Sequence, residues 1–340
     1  MSTTKERRYW GTVAPVEASL IEMMAKGAES QGLEGVFAAQ VWGPPFTSLA
    51  VAASHTERLK IASGIAIAAA RSPFETAMTA IDLDRISNGR FILGLGSSIE
   101  SISSGYFGAP KIKPVTHLRE TVNAVRHIIK GAHKGLQPFE GEDYSADFAL
   151  LEPLAPPVRE NIPIWIAALR GRLVELGAEM ADGIMGHPIW SVEWAVDEIQ
   201  PALANGLKKA GRKREDVDLN LWFWCAPNPD EKEAIEDSRG AVGFYGAMEQ
   251  YHSFFEAHGF GNEARQLQQA AKDNPAASRT HLVPDEMVRT FVICGKPEDC
   301  KKRIDKAWTV ADSMVLNAPS WGLNTEKMMF YMGENAKLMT

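Results

Sequence analysis

Cysteine is scarce in this chain: Cys225, Cys294 and Cys300 are the only three in 340 residues. An odd number without CxxC spacing argues against a disulfide framework and against a cysteine-built zinc site, and leaves buried or idle thiols as the expectation. Long apolar runs are missing too. The longest, Ile61 to Ala70, is far too short to span a bilayer, and the charged start MSTTKERRYW leads into no apolar signal segment. These absences predict a cytoplasmic chain without a membrane partner. No basic run stands out either, since 36 Lys and Arg face 43 Asp and Glu for a net charge of -7. Lys208-Lys209 and Arg212-Lys213-Arg214 are scattered at a helix end, so nucleic acid is not an expected partner. No GxGxxG turn follows the first strand candidate, where Val13-Ala14-Pro15 stands, which disfavours an open dinucleotide-binding sheet. No His-x-His follows it, and His55, His117, His127, His133, His252, His258 and His281 are scattered over helices and insertions. A metal-dependent hydrolase barrel is disfavoured and no metal is expected.

What is present is a strand and helix alternation. Residues 59–100, LKIASGIAIAAARSPFETAMTAIDLDRISNGRFILGLGSSIE, read as a strand, a helix opened by Pro73 with Ala77, Ala80, Ile81 and Asp84 at helical spacing, and a second buried strand. Further strands are predicted near residues 9, 35, 164, 183, 218 and 313, and a strand end at 291–294. Helices are predicted over 16–31 (Leu20, Met23, Met24 and Ala28 inward), 46–54, 115–131, 171–180, 192–211, 231–259 and 325–338. Eight strands, each backed by a helix, predict an α/β fold of the (β/α)8 TIM-barrel type. Residues 1–340 read as a single domain with insertion segments at about 98–114, 135–160 and 251–285. Residues 139–144 look like a hairpin turn, and 259–285 has little apolar periodicity. In such folds the ligand lies at the carboxyl ends of the strands.

Several stretches resemble the bacterial luciferase-like superfamily of flavin and deazaflavin oxidoreductases, and within it the coenzyme F420-dependent class. They are Gly32-Leu33-Glu34-Gly35-Val36-Phe37, residues 59–97, Ile162-Pro163-Ile164-Trp165-Ile166-Ala167-Ala168, Ala181-Asp182-Gly183 and Gly295-Lys296-Pro297-Glu298-Asp299, in that order along nearly the whole chain. The resemblance implies a flat tricyclic cofactor, F420 or alternatively FMN, across the strand ends. It also implies a small-molecule substrate and a homodimer through helices near strands two to four, where Ala50–Ala53 and Ala77–Ala80 would allow close packing.

Carried onto single residues, the resemblance suggests a non-prolyl cis bond between Gly64 and Ile65, supporting the ring from behind; close strand packing is the alternative role for Gly64. Ser97 and Ser98 could meet a ring edge or ribityl chain, or cap the next segment. Glu100 matches an acidic position of the family. Ala167, Ala168, Leu169, Arg170 and Gly171 resemble its phosphate cradle at a helix N-terminus, with Arg170 or Arg172 adding a charge, although the family's Gly-Pro is here Arg170-Gly171. His187 would stand at the barrel mouth, as ligand contact or as a structural residue. After strand two the family's acidic-His pair is replaced by Gln40-Val41-Trp42. Gln40 can hydrogen-bond but relays no proton, while Trp42 and Phe46 would wall the substrate or serve as core. Catalytic residues are therefore unassigned, with Gln40 and His187 the candidates. Three activities fit: F420-dependent hydride transfer first, then an FMN-dependent monooxygenase, then a catalytically idle flavin- or ligand-binding barrel. Against the second, the chain lacks the Gly-Tyr-Pro-His-Leu-Glu-Glu type motif of the alkanesulfonate type.

Overall fold

In the computed structural model, which describes residues 6–40, 43–275 and 278–339, the strands are β1 (Arg8–Thr12), β2 (Gly35–Ala38), β3 (Lys60–Ser63), β4 (Ala66–Ile67), β5 (Phe91–Gly96), β6 (Ile164–Ala168), β7 (Gly183–Gly186), β8 (Asp218–Pro227), β9 (Val292–Gly295) and β10 (Ser313–Asn317). The eight strands expected from the sequence are all present, and the fold is a (β/α)8 barrel with β4 and β9 as short additions. By packing, the chain divides into two units. The larger holds Arg8–Met185 with Ile199–Asn220, and the smaller Gly186–Glu198 with the chain from Leu221 onward. Among the described residues no helix is long and apolar enough to cross a membrane.

In the larger unit the strands run parallel, with Trp10 opposite Gly35, Val36 opposite Ile61, Ile61 opposite Phe91, Leu93 opposite Ile164 and Gly183 opposite Asp218. A parallel strand covered on both faces must be apolar throughout, and every residue of β5 is buried. Trp10, Phe37 and Trp165 pack together, with ring centroids 4.5 Å apart for Trp10 and Phe37 and 5.4 Å for Trp10 and Trp165.

At the amino ends of the strands Glu34 accepts hydrogen bonds from Arg8 and Lys60, each 2.8 Å, and from the Trp10 indole at 2.7 Å. Burial alone would push the Glu34 carboxyl up, but Lys60, Arg8 and Trp10 outweigh it and hold it below the usual carboxylate range. A carboxyl lowered on folding stabilises fully above its unfolded pKa, and that stability is lost as pH falls through the folded value. Glu34→Gln is expected to cost about 2 kcal/mol at neutral pH, with the gap to the wild type closing as the pH falls below the usual carboxylate range. Calorimetric unfolding across a pH series checks this; a gap independent of pH would contradict it.

The helices follow the sequence with instructive exceptions. Ala18–Ser30 buries Ile21, Ala25 and Ala28, while Leu20 and Met23, expected inward, are exposed at 42% and 61%. The i, i+4, i+7 stripe of one isoleucine and two alanines is buried in place of the leucine and methionine beside it. The alanines expected to serve a dimer face are spent inside the chain. Ala52, Ala53, Ala77 and Ala80 are buried, and the helices Phe46–Ser54 and Pro73–Ile86 pack against each other. Residues 98–114 are not all loop, because a helix runs over Glu100–Phe107 and stops at Gly108 in the left-handed region (φ 64). The expected turn near 139–144 is present: Phe139 and Ala146 form an antiparallel bridge, and Glu120 accepts the backbone N–H groups of Glu142, Asp143 and Tyr144.

In the smaller unit β8 pairs parallel with β9, Trp224 opposite Val292, and also pairs with β10. The helix expected over 231–259 is broken into Glu231–Gly246 and His252–Ala257. The segment expected to lack periodicity carries the helix Gly261–Asp273, which buries only Ala264, Leu267 and Gln268 besides its first glycine. So narrow an apolar stripe leaves little trace in sequence. Nor is 192–211 one helix: a single π-helical turn, Trp194–Glu198, precedes Gln200–Ala210, whose second residue is Pro201. The three cysteines are free thiols, Cys225 and Cys300 buried, and burial pushes the Cys225 and Cys294 thiols up.

Candidate active site

At the carboxyl ends of β3, β5 and β6 the larger unit brings several expected residues together. The Gly64–Ile65 peptide is cis. Gly64 N–H donates to the Ala38 carbonyl at 2.8 Å and Gln40 N–H to the Ile65 carbonyl at 3.1 Å, so the bulge is tied to β2 and the residues just after it. A Cβ on Gly96 would fall 2.3 Å from Ile65 Cδ1 and 3.4 Å from Ala167 Cβ, which places Ile65, Gly96 and Ala167 in one cluster. One turn deeper, the Ser63 hydroxyl donates to the Gly94 carbonyl and accepts from its N–H, both at 2.9 Å. A Cβ on Gly94 would lie 1.8 Å from the Ser63 carbonyl oxygen. The result is a shelf edged by glycine, serine and alanine and floored by one isoleucine.

Beyond Gly96, Ser98 adopts a left-handed φ of 58° that turns the chain into Glu100–Phe107. Glu100 sits exposed in that helix's first turn, 3.3 Å from Lys111. After Ala167, Ala168 and Leu169, Arg170 is the extended N-cap of the helix Gly171–Met180, and its side chain makes no cap hydrogen bond. Its first-turn N–H groups and its dipole therefore offer a positive end for an anion. Arg172 instead lines a groove of about 430 Å³ on the helical layer with Arg119, Glu175, Glu179 and Lys209.

Gln40 is buried (8% exposed), and its side-chain oxygen accepts from Ile67 N–H at 2.9 Å and from both terminal nitrogens of Arg71 at 3.2 Å. The Arg71 guanidinium lies 5.1 Å over the Phe46 ring, and Phe46 is itself buried. Arg71 was not expected from sequence. The signal was there: it is the first charge after the apolar run Ile61 to Ala70, directly before the Ser72 cap and Pro73. Val41 and Trp42 lie outside the described residues.

In the smaller unit His187 follows β7. Ile189 N–H donates to Nδ1 at 3.2 Å, which makes Nδ1 an acceptor, so the neutral ring carries its proton on Nε2 and donates to the Tyr251 hydroxyl at 3.0 Å. That leaves the Tyr251 hydroxyl hydrogen for another acceptor. Tyr245 packs edge-on against His187 with centroids 5.0 Å apart. Burial pushes His187 down to about 3 and raises both tyrosines. Neither tyrosine was singled out in the sequence, because both fall in a stretch read only as helix and insertion. A histidine lowered on folding stays neutral while the unfolded chain takes up a proton below about 6.5, so it makes stability fall as pH drops from there towards 3. An NMR titration is expected to show His187 unprotonated from pH 8 to pH 5; a midpoint near 6.5 would contradict this.

A parallel barrel with small residues at the ends of β5 and β6 and a helix start directly after β6 is the frame of an α/β-barrel enzyme. The chain belongs to the luciferase-like monooxygenase family, whose family model matches residues 3–311. It is 29% identical over 317 residues to the 5,10-methylenetetrahydromethanopterin reductase of Methanolobus tindarius, covering 91% of this chain and 93% of the relative. Among solved structures, the coenzyme F420-dependent tetrahydromethanopterin reductase of Methanopyrus kandleri aligns with a TM-score of 0.80 at 22% identity, over 96% of this chain and 97% of that one. The oxygenating constituent of 3,6-diketocamphane monooxygenase of Pseudomonas putida, in complex with FMN, aligns with a TM-score of 0.64 at 15% identity, over 99% and 96%. The protein is an oxidoreductase.

Proposed function

We propose that the protein transfers hydride between coenzyme F420 and a small organic substrate. The observation that carries this reading is the Ile65, Gly96 and Ala167 shelf, where a single added methyl would collide with Ile65. A flat ring system fits such a surface, and the start of Gly171–Met180 beside it fits a phosphate-bearing tail. Likeness to a putative coenzyme F420-dependent oxidoreductase of Mycobacterium tuberculosis, 30% identical over 334 residues, supports the deazaflavin over FMN. When bound, the cofactor supplies the hydride donor or acceptor carbon. The chain's own work is then placement: Ile65 and Gly96 would meet the ring, Ala167 to Gly171 would hold the tail, and Ser97 and Ser98 would offer hydroxyls to the ring edge or ribityl chain. Gln40, an amide, moves no proton. A homodimer through helices near strands two to four is proposed as well, on the family resemblance.

The test is anaerobic turnover with reduced F420 and candidate acceptors, set against oxygen uptake with reduced FMN. Oxidation of F420 without oxygen uptake is the expected result. Oxygen-dependent product formation with FMN alone would establish the monooxygenase reading instead, and no turnover with either would leave a binding barrel.

A further inference from the structure

Gln40 has two faces, and only one is explained. Its side-chain oxygen is fixed by three donors, Ile67 N–H and the two terminal nitrogens of Arg71. That fixes which atom of the amide is nitrogen, and Nε2 has no hydrogen-bond partner among the described residues although the residue is nine-tenths buried. A buried amide N–H₂ without an acceptor is destabilising, because its desolvation is not repaid. Arg71 is under-compensated in the same place. Its side chain is 8% exposed; among the described residues its terminal nitrogens donate to a neutral amide oxygen, and the exposed Glu75 stands 3.7 Å from Nε, beyond hydrogen-bond distance. Nε2 and Oε1 belong to one planar amide, so the unpartnered donors of Gln40 flank the guanidinium, and the Phe46 ring closes one side.

We propose that Gln40 and Arg71 form a subsite for a substrate carboxylate, the guanidinium fork taking one or both oxygens and Gln40 Nε2 donating to one of them. One guanidinium beside a neutral amide matches a monoanion, where a phosphate dianion would call for a second cation. Because Gln40 N–H and Oε1 hold Ile65 in the bulge and Ile67 just after it, the carboxylate would be seated beside the shelf. The substrate class is then a small organic acid with an apolar body. This rests on the oxidoreductase reading only in treating the bound carboxylate as substrate.

The experiment is calorimetric titration of the full chain with benzoate, with its neutral isostere benzamide and with inorganic phosphate, each with and without F420. Benzoate is expected to bind at least about tenfold more tightly than benzamide or phosphate, a difference of 1.4 kcal/mol. Arg71→Met should remove that preference, and Arg71→Lys, which keeps the charge and loses the fork, should weaken it. Gln40→Leu should weaken benzoate while leaving benzamide unchanged. Equal binding of benzoate and benzamide, phosphate binding as tight as benzoate, no benzoate binding in either state, or Arg71→Lys and Arg71→Met both indistinguishable from wild type would overturn the proposal. Loss of F420 binding with the benzoate preference intact would overturn the cofactor reading and leave this subsite standing.

Discussion

Gly94→Ala is expected to destabilise the protein by about 4 kcal/mol, at the top of the range for one added methyl. The new Cβ would sit 1.8 Å from the Ser63 carbonyl oxygen, a backbone atom that no rotamer change can move. The Ser63 hydroxyl is itself bonded both ways to Gly94, so parting the strands also breaks those two bonds. Gly96→Ala is the informative control. There the nearest atom is Ile65 Cδ1, the flexible end of a side chain, so the fold should lose only about 1 kcal/mol. The isoleucine must swing to make room, however, and F420 affinity should fall about tenfold, or 1.4 kcal/mol. Urea unfolding and a cofactor titration on the two variants read these effects separately. A Gly94→Ala protein as stable as wild type would mean that β3 and β5 do not approach as described.

Arg159→Ala should cost about 3–5 kcal/mol, because it strands a buried charge. Asp84 is 0% exposed, and Arg159 reaches it through Nε, 3.2 Å from each carboxylate oxygen, and through Nη2, which also donates to the Phe91 carbonyl at 2.7 Å. The pair joins the helix Pro73–Ile86 and the first residue of β5 to the irregular crossing that leads to β6. The double variant Arg159→Ala with Asp84→Asn should recover part of the loss, since the amide leaves no uncompensated charge. A double-mutant cycle by denaturant unfolding measures the coupling. Strict additivity of the two substitutions would show that Asp84 finds its compensation elsewhere.

Such pairings explain which parts of the molecule were legible in the sequence. Strands buried on both faces write themselves as continuous apolar runs, and a helix with Ser72 as its cap and Pro73 at its start announces itself. Hence the eight barrel strands and most helices were readable. Helices that bury few residues were not, as Glu100–Phe107 and Gly261–Asp273 show, because two or three inward side chains set no visible period. For the candidate site, the glycines and serines after β5 and the small residues after β6 were visible as composition, and the Gly64–Ile65 bulge through family resemblance. Arg71 and the partnership of His187 with Tyr251 were not. Each depends on contacts 31 and 64 residues apart in sequence, which no local pattern encodes. The alanine faces misled for the converse reason: a small-residue stripe permits close packing without saying what packs on it.

The account turns on whether the surface formed by Ile65, Gly96 and Ala167 receives a deazaflavin. An equilibrium titration of the purified protein with F420 and with FMN, in parallel and at one ionic strength, asks this directly. F420 is predicted to bind at least about 100-fold more tightly than FMN, a difference of nearly 3 kcal/mol, with that preference reduced in Gly96→Ala. FMN binding equal to or tighter than F420, or an F420 affinity untouched by Gly96→Ala, would contradict it.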